Sequence, residues 1–182
     1  MLTPHDTPLA QRIWDAARIT GTFQLRSGAI VDEYFDKYRF ESEPGLLAAI
    51  GEAMLPLLPV QDETLSGLEL GGVPIATVLS QLSGRGVRFV RKAPKPYGTQ
   101  LQVEGGDLAG VVTTVVEDVV TSGGAILDGV SALREAGAVV TTAVCVVDRE
   151  EGAFDTLAAA GIELRPLFTA SALREAGSGP SS

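Results

Sequence analysis

The chain has 182 residues, 45% hydrophobic and 20% charged, an ordinary globular composition at single-domain length. A net charge of −9 and a pI near 4.6 exclude wholesale binding to nucleic acid and leave room only for local cationic clusters that hold a small anion. The lone Cys145 cannot form an internal disulfide, no apolar run approaches the ~20 residues that span a bilayer, and no basic segment precedes an apolar one at the N-terminus; a cytoplasmic location is expected, with no membrane partner.

In chain order, residues 7–19 predict a helix, because Leu9, Ile13, Ala16 and Ala17 share a face behind Thr7-Pro8. Residues 22–25 predict a short strand, closed by the turn Arg26-Ser27-Gly28. Residues 34–40 alternate aromatic and charged side chains, the pattern of a half-buried strand. Glu43-Pro44 opens a helix that runs to Leu58 and stops at Pro59. From there strands and helices alternate: strands at 64–69, 87–91, 111–117, 138–147 and 162–167, helices at 73–82, 123–136 and 151–160. The apolar runs at 115–120 and 143–147 suit strands buried on both faces. This alternation predicts an α/β fold, a mainly parallel sheet flanked by helices. Residues 93–110 are polar, rich in glycine and proline and without periodicity, which points to a functional loop. The heptapeptide Ser-Ala-Leu-Arg-Glu-Ala-Gly occurs at 131–137 and again at 171–177, and both copies read as helix ends stopped by glycine. Residues 177–182 read as a disordered tail.

The stretch with most chemistry is Glu117-Asp118-Val119-Val120-Thr121-Ser122-Gly123-Gly124-Ala125. It puts two acids at a strand end, then a hydroxyl- and glycine-rich turn, then a helix N-terminus. Free N–H groups and the positive end of the dipole suit a phosphate there. The acids repel a phosphate but suit sugar hydroxyls, so a phosphorylated sugar fits both halves. The segment lacks the Gly-Lys-Ser/Thr ending of a Walker A loop and the three spaced glycines of a dinucleotide fingerprint. Three further segments stand beside it. Arg91-Lys92 and Lys95, with Tyr97 and Gly98, open the long loop and could clamp a pyrophosphate. Glu69, Gly71 and Gly72 form a strand-to-helix turn that lets backbone approach an anion. Asp148-Arg149 ends another core strand, and its arginine could take a carboxylate in a bidentate pair.

These four segments, in this order, resemble the type I phosphoribosyltransferases, and within them the orotate branch. Leu25-Arg26-Ser27-Gly28 with Tyr34-Phe35 is similar to the orotate branch's base-binding segment. The resemblance covers about residues 23–167. It implies a type I phosphoribosyltransferase fold in one domain over 1–176, with a small hood formed by about 1–40 and a mobile catalytic loop at 93–110. It further implies transfer of the phosphoribosyl group of 5-phosphoribosyl 1-diphosphate (PRPP) to orotate, as in pyrimidine nucleotide synthesis, with Mg²⁺ carried mainly by substrate and water rather than by side chains.

By the same resemblance, Glu117 and Asp118 hold the ribose hydroxyls, Thr121, Ser122, Gly123, Gly124 and Ala125 surround the 5′-phosphate, and Val119 and Val120 belong to the same PRPP-binding stretch. Arg91, Lys92, Lys95 and Tyr97, with Glu69, Gly71 and Gly72, line the pyrophosphate. Lys95, Asp118 and Glu117 are the implied catalytic groups, and Arg26, Phe35, Thr121 and Arg149 face orotate. A homodimer with shared active sites is implied as well. One departure stands out: Tyr97 occupies the place of the family's usual loop histidine, and the only histidine is His5. Another base, or a PRPP- or nucleotide-binding regulator without turnover, are the alternatives.

Overall fold

The computed structural model describes residues 8–24, 28–95, 97 and 101–178. Helix α1 (Leu9–Ala17) starts behind Pro8 and buries Ile13 and Ala17. It ends two residues before the predicted boundary, because Arg18 already enters strand β1 (Arg18–Gln24). β1 pairs antiparallel with β2 (Ile30–Phe35) in a separate two-stranded sheet.

The strand expected over 34–40 is a correction: β2 ends at Phe35, and residues 37–41 form helix α2 (Lys37–Glu41). The cause is local. Asp36 takes extended backbone angles and its side chain accepts from the Tyr38 amide at 3.2 Å, so it caps a helix where the alternation pointed to extended chain. The turn so formed buries Phe40 and Glu41.

Helix α3 (Pro44–Met54) begins as expected, with Pro44 in its first turn and the Glu43 carboxylate accepting from Gly45 and Leu46; a 3-10 turn (Leu55–Leu57) follows. Then come β3 (Thr64–Leu68), α4 (Gly72–Ser83), β4 (Gly86–Val90), β5 (Val103–Glu104), β6 (Val112–Val120), α5 (Gly124–Glu135), β7 (Val139–Asp148), α6 (Ala153–Ala159), β8 (Glu163–Thr169) and α7 (Ala170–Gly177). The six-stranded sheet has the order β5-β4-β3-β6-β7-β8 and is parallel except at β5. The chain works outward from β3 in one direction and from β6 in the other, so the topological switch point lies between them.

β6 and β7 are buried on both faces, and their side chains alternate between two cores. Val115, Ala143 and Cys145 pack with Ile126, Leu133 and Leu157 under α5 and α6. Val116, Val144 and Val146 pack with Ile13, Phe40, Ile50 and Ile75, so α1 to α4 share the opposite core.

Two other expectations change. The segment 93–110 is not wholly irregular: β5 pairs with Phe89 and Val90, and Val103 and Leu108 are buried. Helix α7 runs through Gly177, and the Ser178 amide still bonds the Arg174 carbonyl at 2.9 Å. The expected tail therefore loses its first two residues to ordered structure, and residues 179–182 lie outside the described ones.

Candidate active site

The site residues collect at the carboxyl ends of β3, β4, β6 and β7, on the switch-point side of the sheet. β6 continues past the acids to Val120, so Glu117 and Asp118 are not its last residues as expected. The reason is unequal pairing. β7 stays paired to β6 through Val120 and Asp148, while the ladder to β3 stops at Gly67 and Val116. Beyond that point the chain of β3 turns away through Glu69, Leu70 and Gly71, and the acids fill the gap. Gly72 packs so closely on the Val116 carbonyl, and Gly71 on the Asp118 carboxylate, that a Cβ at either would overlap them. Both glycines are thus required by the backbone's approach to β6.

Asp118 is fully buried. Its Oδ1 accepts from the Val119 amide at 2.5 Å. The Lys37 Nζ, reaching across from α2, lies 3.0 Å from Oδ1 and 2.8 Å from Oδ2. Glu117 Oε1 accepts from the Asp118 amide at 2.9 Å. Three carboxyl groups meet here, since Glu41 of α2 also faces Asp118. Burial first, then the hydrogen bond and negative charge of Asp118, push Glu117 and Glu41 up to about 9 each. Burial works to raise Asp118 too, but hydrogen bonds from Glu117, Glu41 and Lys37 outweigh it, and Asp118 stays below the ordinary carboxylate range. These directions put the cluster's negative charge on Asp118, against the Lys37 ammonium, and favour protons on Glu117 and Glu41.

After Val120 come Thr121, Ser122 and Gly123, whose amides donate no backbone bond among the described residues. Gly123 takes φ 88°, a conformation that suits glycine, and starts α5 with no side-chain cap. Thr121, Ser122, Gly124 and Ala125 are exposed. An exposed helix start with free amides can take an anion.

A cleft of about 560 Å³ opens beside this turn. Phe35, Thr121 and Arg149 line it together with Val119 and Lys37. The Arg149 amide bonds the Val120 carbonyl at 2.8 Å, which fixes this residue beside the turn, and its guanidinium lies 3.3 Å from Glu151. Arg26 lies outside the described residues, as does Gly98. A second hollow, about 440 Å³, gathers Glu69, Arg91, Lys95 and Glu104. Glu69 Oε2 accepts from the Lys92 amide at 3.0 Å and ties the turn after β3 to the start of the loop. Lys95 Nζ sits 2.5 Å from Glu104 on β5. Tyr97 is exposed. Among the described residues no group of three or more His, Cys, Asp or Glu is placed to hold a metal ion. Among the same residues no helix is long and apolar enough to cross a membrane.

The structure therefore brings Thr121, Phe35 and Arg149 together at the cleft and Glu69, Arg91 and Lys95 at the second hollow, while Glu117 and Asp118 are buried before the turn and do not line either. Sequence reasoning missed Lys37 and Glu41. The signal for them was an Asp N-cap followed by Lys and Glu four residues apart, which places both on one helix face.

A parallel sheet read outward from β3 and β6, with an acid pair and an amide-lined turn at its switch point, defines a type I phosphoribosyltransferase. The chain is 50% identical to an orotate phosphoribosyltransferase of a Nocardioides species over 94% of its own length and 98% of that protein. It is 42% identical to the one from Halobacterium salinarum, over 97% and 99% of the two chains. It belongs to the orotate phosphoribosyltransferase family. The crystal structure of Mycobacterium tuberculosis orotate phosphoribosyltransferase with Fe(III) dicitrate superposes with a TM-score of 0.82 at 33% identity, over 91% of this chain and 96% of that one. The same enzyme in complex with PRPP gives 0.78 at 30% identity over the same shares. No family model matches the chain.

Proposed function

We propose that the protein transfers the phosphoribosyl group of PRPP to orotate, giving orotidine 5′-monophosphate and pyrophosphate. The observation that carries this reading is the cleft in which Phe35, Thr121 and Arg149 meet the turn that follows Glu117 and Asp118. A flat, anionic base fits an aromatic side, a hydroxyl and a guanidinium. The exposed amides from Thr121 to Ala125 suit the 5′-phosphate of the sugar beside it.

In this reading Glu117 and Asp118 fix the ribose through its hydroxyls, and Val119 and Val120 keep the following turn in register. Bond breaking at the anomeric carbon leaves positive character on the sugar and negative charge on pyrophosphate. No protein nucleophile is required; positioning and charge supply the catalysis. Arg91, Lys92 and Lys95 neutralise the leaving group, Tyr97 adds a hydrogen bond to it, and the Gly71-Gly72 backbone borders it. Lys95 leaves Glu104 as the loop closes, which also keeps water from the reactive carbon. Magnesium suits this site as an ion borne by the substrate. Glu69, exposed beside the second hollow, offers a hard oxygen to its hydration shell. When bound, the ion offsets charge on the diphosphate. Arg26 completes the base side. A homodimer with loops shared across the interface is part of this proposal, supported by the exposed Ile30 and Tyr34 of the hairpin.

The test is direct. Purified protein, PRPP and Mg²⁺ are mixed with orotate, uracil or a purine base, and pyrophosphate release is followed. Orotate-dependent release supports the proposal. Turnover only with another base, a reading that Tyr97 in place of histidine favours, overturns the orotate assignment. PRPP binding without turnover on any base overturns the enzymatic one.

A further inference from the structure

We propose that Lys37 is a positioning residue for phosphoribosyl transfer: reaching from the hood, its ammonium fixes the buried Asp118 carboxylate and, through the Val119 amide that this carboxylate holds, the start of the turn at the phosphate site. The inference rests on the proposed transfer reaction and adds to it a residue outside the acid-pair segment.

Four observations carry it. Both carboxylate oxygens lie within 3.0 Å of the Lys37 Nζ, at 3.0 and 2.8 Å. The Asp118 side chain has no exposed surface, and a buried anion is tolerated only with a fixed partner. Lys37 is the one cation among the groups around Asp118: the Val119 amide reaches Oδ1, Gly71 presses on Oδ2, and Glu117 and Glu41 offer carboxyl hydrogen bonds but no positive charge. Finally, Lys37 is not sealed inside. Its side chain is 35% exposed, it passes over the Tyr38 ring at 5.4 Å, and it lines the cleft with Phe35, Thr121 and Arg149. One cation therefore joins the base-side cleft, the hood helix and the buried acid that precedes the turn.

The titratable and charged groups facing Asp118 are Lys37 and Glu41 from α2 and Glu117 from β6; Cys145 of β7 lies near enough to feel its charge. The turn before α4 contributes only Gly71. Lys37 is the sole cation in this set. Removing it takes away the one positive charge that offsets the buried carboxylate, so Asp118 is expected to bind a proton at higher pH and to hold the Val119 amide, and with it the following turn, less firmly.

The experiment compares wild type, Lys37→Met and Lys37→Arg in the orotate assay from pH 5 to 9, with thermal melting as the control for folding. In Lys37→Met the acid limb of kcat/KM for PRPP moves up by about one pH unit or more, and kcat/KM at pH 7 falls on the order of 100-fold. In Lys37→Arg the limb stays in place. A folded Lys37→Met protein with an unmoved limb overturns the inference, even where its activity has dropped. Should Lys37→Met fail to fold, the Asp118 carboxyl is titrated by carbon NMR in wild type and Lys37→Arg. Titration below the ordinary carboxylate range in both supports the inference, and an ordinary or raised value overturns it. Wild-type protein inactive on every base overturns the functional reading instead.

Discussion

Gly71 touches the Asp118 carboxylate, which Lys37 and the Val119 amide hold from its other sides. A methyl group at 71 therefore meets a side chain that cannot give way. Gly71→Ala is expected to lower stability by about 1–3 kcal/mol, the usual cost of overpacking, and to lower kcat/KM for PRPP as the acid shifts. Denaturant midpoints and steady-state kinetics together check this; a variant as stable and active as wild type would show the turn to be looser than described. Lys95 makes a different case. Its partner Glu104 is partly buried, and Lys95→Ala leaves the buried Glu104 Oε1 without its cation, so melting is expected to fall modestly. The same substitution is expected to cut kcat about 100-fold or more with little change in PRPP affinity, and equal losses in both would mean that Lys95 only binds. At this scale the sequence was a good guide to residues whose neighbours adjoin them in the chain, such as Glu117, Asp118 and the glycine pair. It could place Lys37 and Glu41 on one helix face but could not give Lys37 its partner, which stands 81 residues away, because no spacing pattern reaches that far.

Helix α2 is five residues long, too short to stand on propensity alone. Burial of Phe40 and the contact of Lys37 and Glu41 with the β6 acids hold it. Its alternating aromatic and charged residues fit a strand as well as a helical turn, and the Asp36 cap decided between them. The repeated heptapeptide shows the same limit. Gly137 stops α5 with φ 89°, whereas Gly177 stays helical in α7 and packs on the Trp14 ring. Identical residues end differently because α1 is present beside one copy only.

The α2–β6 contact also has a pH signature. Glu41 is held up to about 9 by burial and by Asp118, against an ordinary 4.5. Below pH 4.5 folded and unfolded states both hold the proton, so the group takes nothing from stability. Between 4.5 and 9 only the folded state keeps it, and stability falls as pH rises, by up to about 1.4 kcal/mol per pH unit for one full proton. Glu41→Gln keeps a donor toward Asp118 and removes the titration. It is expected to match wild type at pH 4 and to melt higher by a margin that grows toward pH 9. A constant difference across that range would mean that Glu41 is ionised in the fold.

The centre of the parallel sheet was legible because β6 and β7 are buried on both faces and so carry near-continuous apolar runs. What the runs could not give was the order of the strands, hence the switch point and the gap beside β3 that the acids fill. That order also unites the hood with the sheet. Ile13, Ala17 and Phe40 share one core with Ile50, Ile75, Val116 and Val144. The hood is therefore expected to unfold with the sheet, in a single calorimetric transition. A ligand that binds only the folded protein at 100 times its Kd adds about 2.7 kcal/mol. For a domain of this size that raises the midpoint by about 5–11 °C. PRPP with Mg²⁺ at that excess should move the whole transition by this amount, because its sugar would lie on the acid pair that β6 shares with α2. A transition that splits, with only the sheet component shifted, would separate the hood from the PRPP site and remove the physical basis for Lys37 acting on Asp118.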